Sequence, residues 1–179
     1  MEIQQRFGAM RAASVQPTAA QAPAPAAGRP DVEVWIPGAD GGLDTIAQRT
    51  GSAASSDAVV AAAYANGVKV LDYVQREFGR SSFDGRGTVL KLRVHAPDPS
   101  TGLPNANNAY WFDDEQRIWL GDGDGEAFAP LGYAADVIAH EFFHGVIDSE
   151  VKLRYVGQEG ALHESISDVL ATGIDGNWK

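Results

Sequence analysis

Between Ser56 and Phe78, apolar residues recur every three or four positions, at Val60, Tyr64, Val68, Leu71, Val74 and Phe78, behind a capping Asp57. This spacing predicts an amphipathic helix with one buried stripe. The period then shortens. In GTVLKLRVHA, Leu90, Leu92 and Val94 alternate with Lys91, Arg93 and His95, which predicts a strand with one face on a core and His95 as an inert polar-side residue. VEVWIPG (Val32 to Gly38), NNAYW (Asn107 to Trp111) and RIWL (Arg117 to Leu120) predict three further short strands, the last two around an acidic turn at Asp113 and Asp114. GDGDG (Gly121 to Gly125) predicts a tight connection. It resembles the start of an EF-hand loop but lacks the third acidic position and the twelfth-position glutamate. Two helices follow, about 134–147 and about 159–172. Strands first and helices last predict an α+β fold, a small antiparallel or mixed sheet followed by a central helix and a second helix. Residues 1–30, rich in Ala, Pro, Gln and Ser, predict a flexible leader or linker, and residues 31–179 a single domain.

The helix in DVIAHEFFHGVIDS has two faces. At about 100° per residue, Ala139, Phe142, Phe143, Val146 and Ile147 share one side, and His140, Glu141 and His144 fall on the other. Positions i and i+4 lie one above the other, so both imidazoles can reach one ion while Glu141 stands beside it to accept a proton from bound water. The alternative is a core helix carrying two hydrogen-bonded histidines. In EGALHESISDVLAT, Leu162, Ile166, Val169 and Leu170 predict a core face, with Glu164 and Asp168 one turn apart opposite it. Alone, that carboxylate pair reads as a solvated face. Beside an HExxH helix, Glu164 supplies a third ligand and leaves a fourth position open, as a catalytic zinc requires. Asp168 is then placed to accept the remaining ring N–H of a ligand histidine.

Composition narrows the chemistry. A formal charge of −10 argues against nucleic acid or an anionic membrane as the main partner. No cysteine is present, so any transition-metal site must use histidine and carboxylate. No apolar run approaches the ~18 residues that span a bilayer, and the N-terminal stretch lacks the continuous apolar segment of a secretory signal. Membrane insertion is not expected.

FGRSSFDGRG, NNAYW, GDGDG, DVIAHEFFHGV and GALHESISD, in that order and at these intervals, resemble the thermolysin family of metallopeptidases, including its protealysin-like branch, over about 36–175. The resemblance implies a zinc endopeptidase acting on peptide or protein substrates through a metal-activated water. It implies Zn2+ held by His140, His144 and Glu164, with Glu141 as general base and Asp168 as a carboxylate behind a zinc ligand. It further implies Tyr155 as a donor to the tetrahedral intermediate, and Asn108, Ala109 and Trp111 at the substrate. Asp136 and Asp175 align with a Ca2+ site, and an extracellular location is implied.

Two departures stand out. The family has asparagine before the third ligand where this chain has His163, which either takes over a contact to a zinc histidine, disturbs it, or competes as a ligand. The family also continues into a helical C-terminal domain, and this chain reaches only GIDGNWK. The implied partner is therefore a C-terminal domain or another chain covering the third-ligand helix. The competing reading is a peptidase-derived zinc-binding scaffold with little or no turnover.

Overall fold

The structure is a computed structural model that describes residues 28–38, 42–99, 101–103 and 106–176, apart from the side chain of Asp175. The expected leader therefore lies outside the described residues except at its last three positions, 28–30.

Five strands form one mixed sheet: β1 (Val32–Ile36), β2 (Thr45–Arg49), β3 (Leu90–Arg93), β4 (Ala109–Phe112) and β5 (Arg117–Leu120). Their spatial order is β2-β1-β3-β5-β4. The three central strands are parallel to one another, and each outer strand pairs antiparallel with its neighbour. A parallel step from β1 to β3 needs a crossover. Helix α1 (Ala58–Phe78) supplies it.

The alternation expected for β3 sets the core. Val34, Leu92, Ile118 and Trp111 lie in register across the sheet, beside the row of Val32 and Leu90. The aliphatic members are fully buried under α1 and α2 (Ala135–Glu150). α1 starts as its sequence predicts, with the Asp57 carboxylate accepting from the N–H groups of Val59 at 2.8 Å and Val60 at 3.2 Å. Its stripe is buried from Val60 to Val74, but Phe78 is exposed at the last turn.

β2 has no counterpart among the predicted strands. Its sequence, TIAQR, carries only two apolar residues, and it is a sheet edge whose side chains are mostly exposed. GDGDG folds as the expected tight connection. A Cβ on Gly123 would run into the Phe128 backbone carbonyl, and its φ of +71° favours glycine for a second reason.

α3 (Gly157–Thr172) packs on α2 and is continued by a 3₁₀ turn, Gly173–Asp175. Here the expected core face is only half right: Ile166 and Leu170 are partly buried, Leu170 against the core, but the other two members are exposed. Leu162 is 50% exposed and Val169 56%, while His163, Ser167 and Ala171 are the buried positions. The face that meets α2 is chosen by what it contacts there, two polar side chains and an alanine against a histidine-bearing helix. Hydrophobic periodicity does not see that choice.

Candidate metal centre

α2 is buried on nearly every side because it sits between the sheet and α3. Ile138, Ala139, Phe142 and Phe143 face the sheet and α1 within the main core. On the α3 side, His140 and His144 bring their Nε2 atoms to 2.9 Å from each other. The turn between the rings is set by the helix itself, four residues on. Glu164, projecting from α3, puts Oε2 at 3.2 Å from the Nε2 of His140 and Oε1 at 3.6 Å from that of His144. Oε1 of Glu164 is buried and has no hydrogen-bond partner.

The outward nitrogens are tied. His140 Nδ1 lies 2.8 Å from Asp168 Oδ1. His144 Nδ1 lies 2.6 Å from His163 Nδ1 and 3.2 Å from the Ser167 hydroxyl. A proton on each Nδ1 leaves two Nε2 lone pairs and a carboxylate facing one point. Oxygen and nitrogen ligands about 2.0–2.2 Å from a tetrahedral zinc stand roughly 3.3–3.6 Å apart. The separations here, 2.9–3.6 Å, lie at or just inside that span, so these three residues fit the ion.

A second carboxylate is close. Ligand atoms of His140, Glu141 and His144 all lie within 4.8 Å of one another. Glu141 differs from Glu164 in its surroundings, being buried and held by the Trp111 backbone N–H. Burial pushes the Glu141 carboxyl up to about 7, against the His140 charge and with help from the Glu164 charge. For His140, burial works against the charged form, but hydrogen bonds to Asp168 and Glu164 and the charges of Glu141 and Asp168 lift it to about 10. His144 is pushed down to about 2 by burial and by the neighbouring His140 and His163. The site attracts one positive charge and resists a second proton.

The remaining expected residues fall around this cluster at different distances. Tyr155 is 56% exposed, with its ring edge-on to His144 at 5.9 Å and to His163 at 5.5 Å. Ala109 is buried at the start of β4, and the Asn108 carbonyl accepts from the Gly121 N–H at 3.1 Å. Trp111 packs against Gly145 of α2, where a Cβ would lie 2.8 Å from the indole Cζ2. Asp136 is in the first turn of α2, its carboxylate accepting from the Val137 N–H at 3.0 Å. The side chain of Asp175 is outside the described residues.

Two polar residues of the cluster have no counterpart among the expected ones. Ser167 is fully buried against His144, and Asp148 Oδ1 lies 3.0 Å from His163 Nε2. Asp148 is one turn beyond His144, and Ser167 one turn beyond His163. That spacing was the available signal.

The sequence profile of the thermolysin metallopeptidase catalytic domain matches residues 39–148, well over half of the chain. The chain belongs to the thermolysin family of metallopeptidases. An extracellular elastase of Staphylococcus epidermidis is 41% identical over 107 residues, covering 60% of this chain and 20% of the relative. A neutral protease NprE of Bacillus pumilus is 42% identical over 129 residues, covering 72% of this chain and 40% of that protein. The solved precursor of protealysin, a metalloproteinase from Serratia proteamaculans, superposes with a TM-score of 0.71 at 31% identity. That superposition covers 85% of this chain and 45% of the other. The chain thus spans a fifth to two-fifths of these two curated relatives. The thermolysin-type profile stops at Asp148, so the apposition of α3 and α2 comes from the fold itself.

Proposed function

We propose that this chain carries the zinc-binding catalytic half of a thermolysin-type endopeptidase, with Zn2+ held by His140, His144 and Glu164. The observation that carries the reading is the convergence of two Nε2 atoms and the Glu164 carboxylate within 2.9–3.6 Å, its Oε1 having no hydrogen-bond partner, while both Nδ1 atoms are tied elsewhere. Held by these three residues, a zinc ion would supply Lewis acidity toward a peptide carbonyl and would lower the pKa of a bound water toward neutrality. Glu141 takes the proton of that water on its carboxylate and returns it to the leaving amine nitrogen. Its burial, which pushes its carboxyl up from the usual carboxylate range, suits a group that must gain and lose a proton in one cycle. Asp168 holds His140 by Nδ1 and keeps its other nitrogen free. Tyr155, with an exposed ring beside His144, donates its O–H to the carbonyl oxygen as charge develops there.

β4 is the last strand of the sheet, so a peptide can lie extended along it, with Asn108 and Ala109 as the residues that hydrogen-bond its backbone and Trp111 closing the floor against α2. Calcium binding by Asp136 and Asp175 belongs to the same proposal and rests on the family. So does an extracellular location, since one relative is named an extracellular elastase.

The alternative is a zinc-binding module with little turnover, whose partner is a C-terminal domain or another chain. The exposed apolar side of α3, with Leu162 and Val169, and the neighbouring Val156 favour it. Cleavage of an unfolded protein is the discriminating experiment, with wild type and Glu141→Gln compared at equal zinc occupancy. The endopeptidase reading expects a loss of at least ~10²-fold in the variant. Equal rates would remove Glu141 from the mechanism, and no cleavage by either would favour the module.

A further inference from the structure

His163 is 2% exposed and carries two contacts that bear on His144. Its Nδ1 is 2.6 Å from His144 Nδ1, and its Nε2 is 3.0 Å from Asp148 Oδ1. Two imidazoles meeting nitrogen to nitrogen share one proton position, so one ring donates and the other accepts. A carboxylate can only accept, so Asp148 requires a proton on His163 Nε2. In a neutral His163 the Nδ1 is then a lone pair, and the proton between the rings belongs to His144. The His144 Nε2 is consequently unprotonated, and it is the atom that faces His140 and Glu164. The reverse arrangement, with His163 donating, would put the His144 proton on Nε2 and point it into the cluster.

We propose that Asp148 and His163 are positioning residues that act through His144, fixing its tautomer so that Nε2 is presented to the metal. The inference rests on the zinc reading above and adds to it Asp148 and, for His163, the direction of its contact with the zinc histidine. The orientation runs in one direction: Asp148 sets His163, and His163 sets His144. Ser167, whose hydroxyl lies 3.2 Å from the same Nδ1, is a weaker acceptor there because it can also rotate to donate.

The first test needs no zinc. Long-range 15N–1H correlation spectra of the metal-free full chain report which ring nitrogen of each histidine is protonated, and the four histidines are assigned by single substitutions. The inference expects His144 protonated at Nδ1 and His163 at Nε2. A proton on His144 Nε2, or a His163 ring protonated on both nitrogens, would overturn it.

The second test is a cycle of zinc affinities measured by chelator competition, with thermal unfolding as a check on folding. Asp148→Ala is expected to weaken zinc about tenfold or more, in the range seen when an outer partner of a ligand histidine is lost. In a chain that already carries His163→Asn, the amide oxygen can accept from His144 Nδ1 without help, so Asp148→Ala should cost no more than about twofold. An equal loss in both backgrounds would mean that Asp148 acts as a distant charge, which overturns the relay. A loss of the same size from Ser167→Ala, with Asp148→Ala neutral, would assign the role to the hydroxyl instead. If the wild type binds no zinc at all, the endopeptidase reading fails, and the spectra still decide the tautomer.

Discussion

His95 tests whether the polar contacts outside the metal cluster hold the fold as the geometry says. It follows β3 with a φ of +53°, and both its ring nitrogens meet carboxylates. Nδ1 is 2.8 Å from Asp122 and Nε2 is 3.0 Å from Asp57, the residue that caps α1. The clamp therefore ties the start of α1 to the loop whose Gly121 N–H donates to the Asn108 carbonyl. The hydrogen bond to Asp122 raises the imidazole from 6.5 to about 9, against burial and with the Asp122 charge and the Asp57 contact adding to it. Because the folded value is raised, the stabilisation is fully present below about 6.5 and is lost as pH rises to about 9. At 1.36 kcal/mol per pH unit the rise would be worth about 3 kcal/mol. His95 is 30% exposed, so solvent screening reduces this to about 1–2 kcal/mol. The perturbation is His95→Asn, which keeps a residue that tolerates positive φ. Urea unfolding of both proteins at pH 6 and pH 9.5 is the assay. Wild type should lose about 1–2 kcal/mol more than the variant between the two pH values. Parallel pH dependence in the two proteins would refute the clamp.

Gly145→Ala should lower the unfolding free energy from urea titration by about 1 kcal/mol, because the new Cβ lies 2.8 Å from Trp111 and the overpacking outweighs the helix-propensity gain of roughly 1 kcal/mol. A stabilised variant would show that the contact is slack. Tyr155→Phe should reduce kcat by roughly 10²-fold with little change in KM, measured by steady-state peptide hydrolysis; a change confined to KM would remove the phenol from oxyanion stabilisation. Leu162→Lys and Val169→Lys should each change unfolding stability by less than about 0.5 kcal/mol, as exposed positions do. A loss above about 2 kcal/mol would mean that this side of α3 is packed in the isolated chain.

The parts of the fold legible in the sequence are those written in short-range pattern. The α1 stripe, the alternation of β3 and the two strands around Asp113 and Asp114 need only local periodicity, and each is found where its pattern lies. α2 is legible twice over, since its core side and its histidine side are separate sets of residues. β2 was missed because an edge strand need not alternate strongly, and TIAQR does not. On α3 apolar spacing is a partial guide: Ile166 and Leu170 are partly buried, but Leu162 and Val169 are exposed, and the buried stripe is His163, Ser167 and Ala171. That stripe makes sense only once α2 lies beside it. The role of His95 is invisible to local pattern because its partners, Asp57 and Asp122, are 38 and 27 residues away. Asp148 escaped for a related reason: its partner His163 is on another helix, 15 residues on.

The central claim is that His140, His144 and Glu164 together hold one zinc ion. Zinc per chain after exhaustive dialysis, combined with X-ray absorption at the zinc edge, measures this directly. The account predicts about one ion per chain in a four-coordinate nitrogen and oxygen shell at about 2.0–2.2 Å with two imidazoles, and its loss in His140→Ala and in Glu164→Gln. Substoichiometric zinc in the wild type, or an unchanged coordination shell in Glu164→Gln, would contradict it.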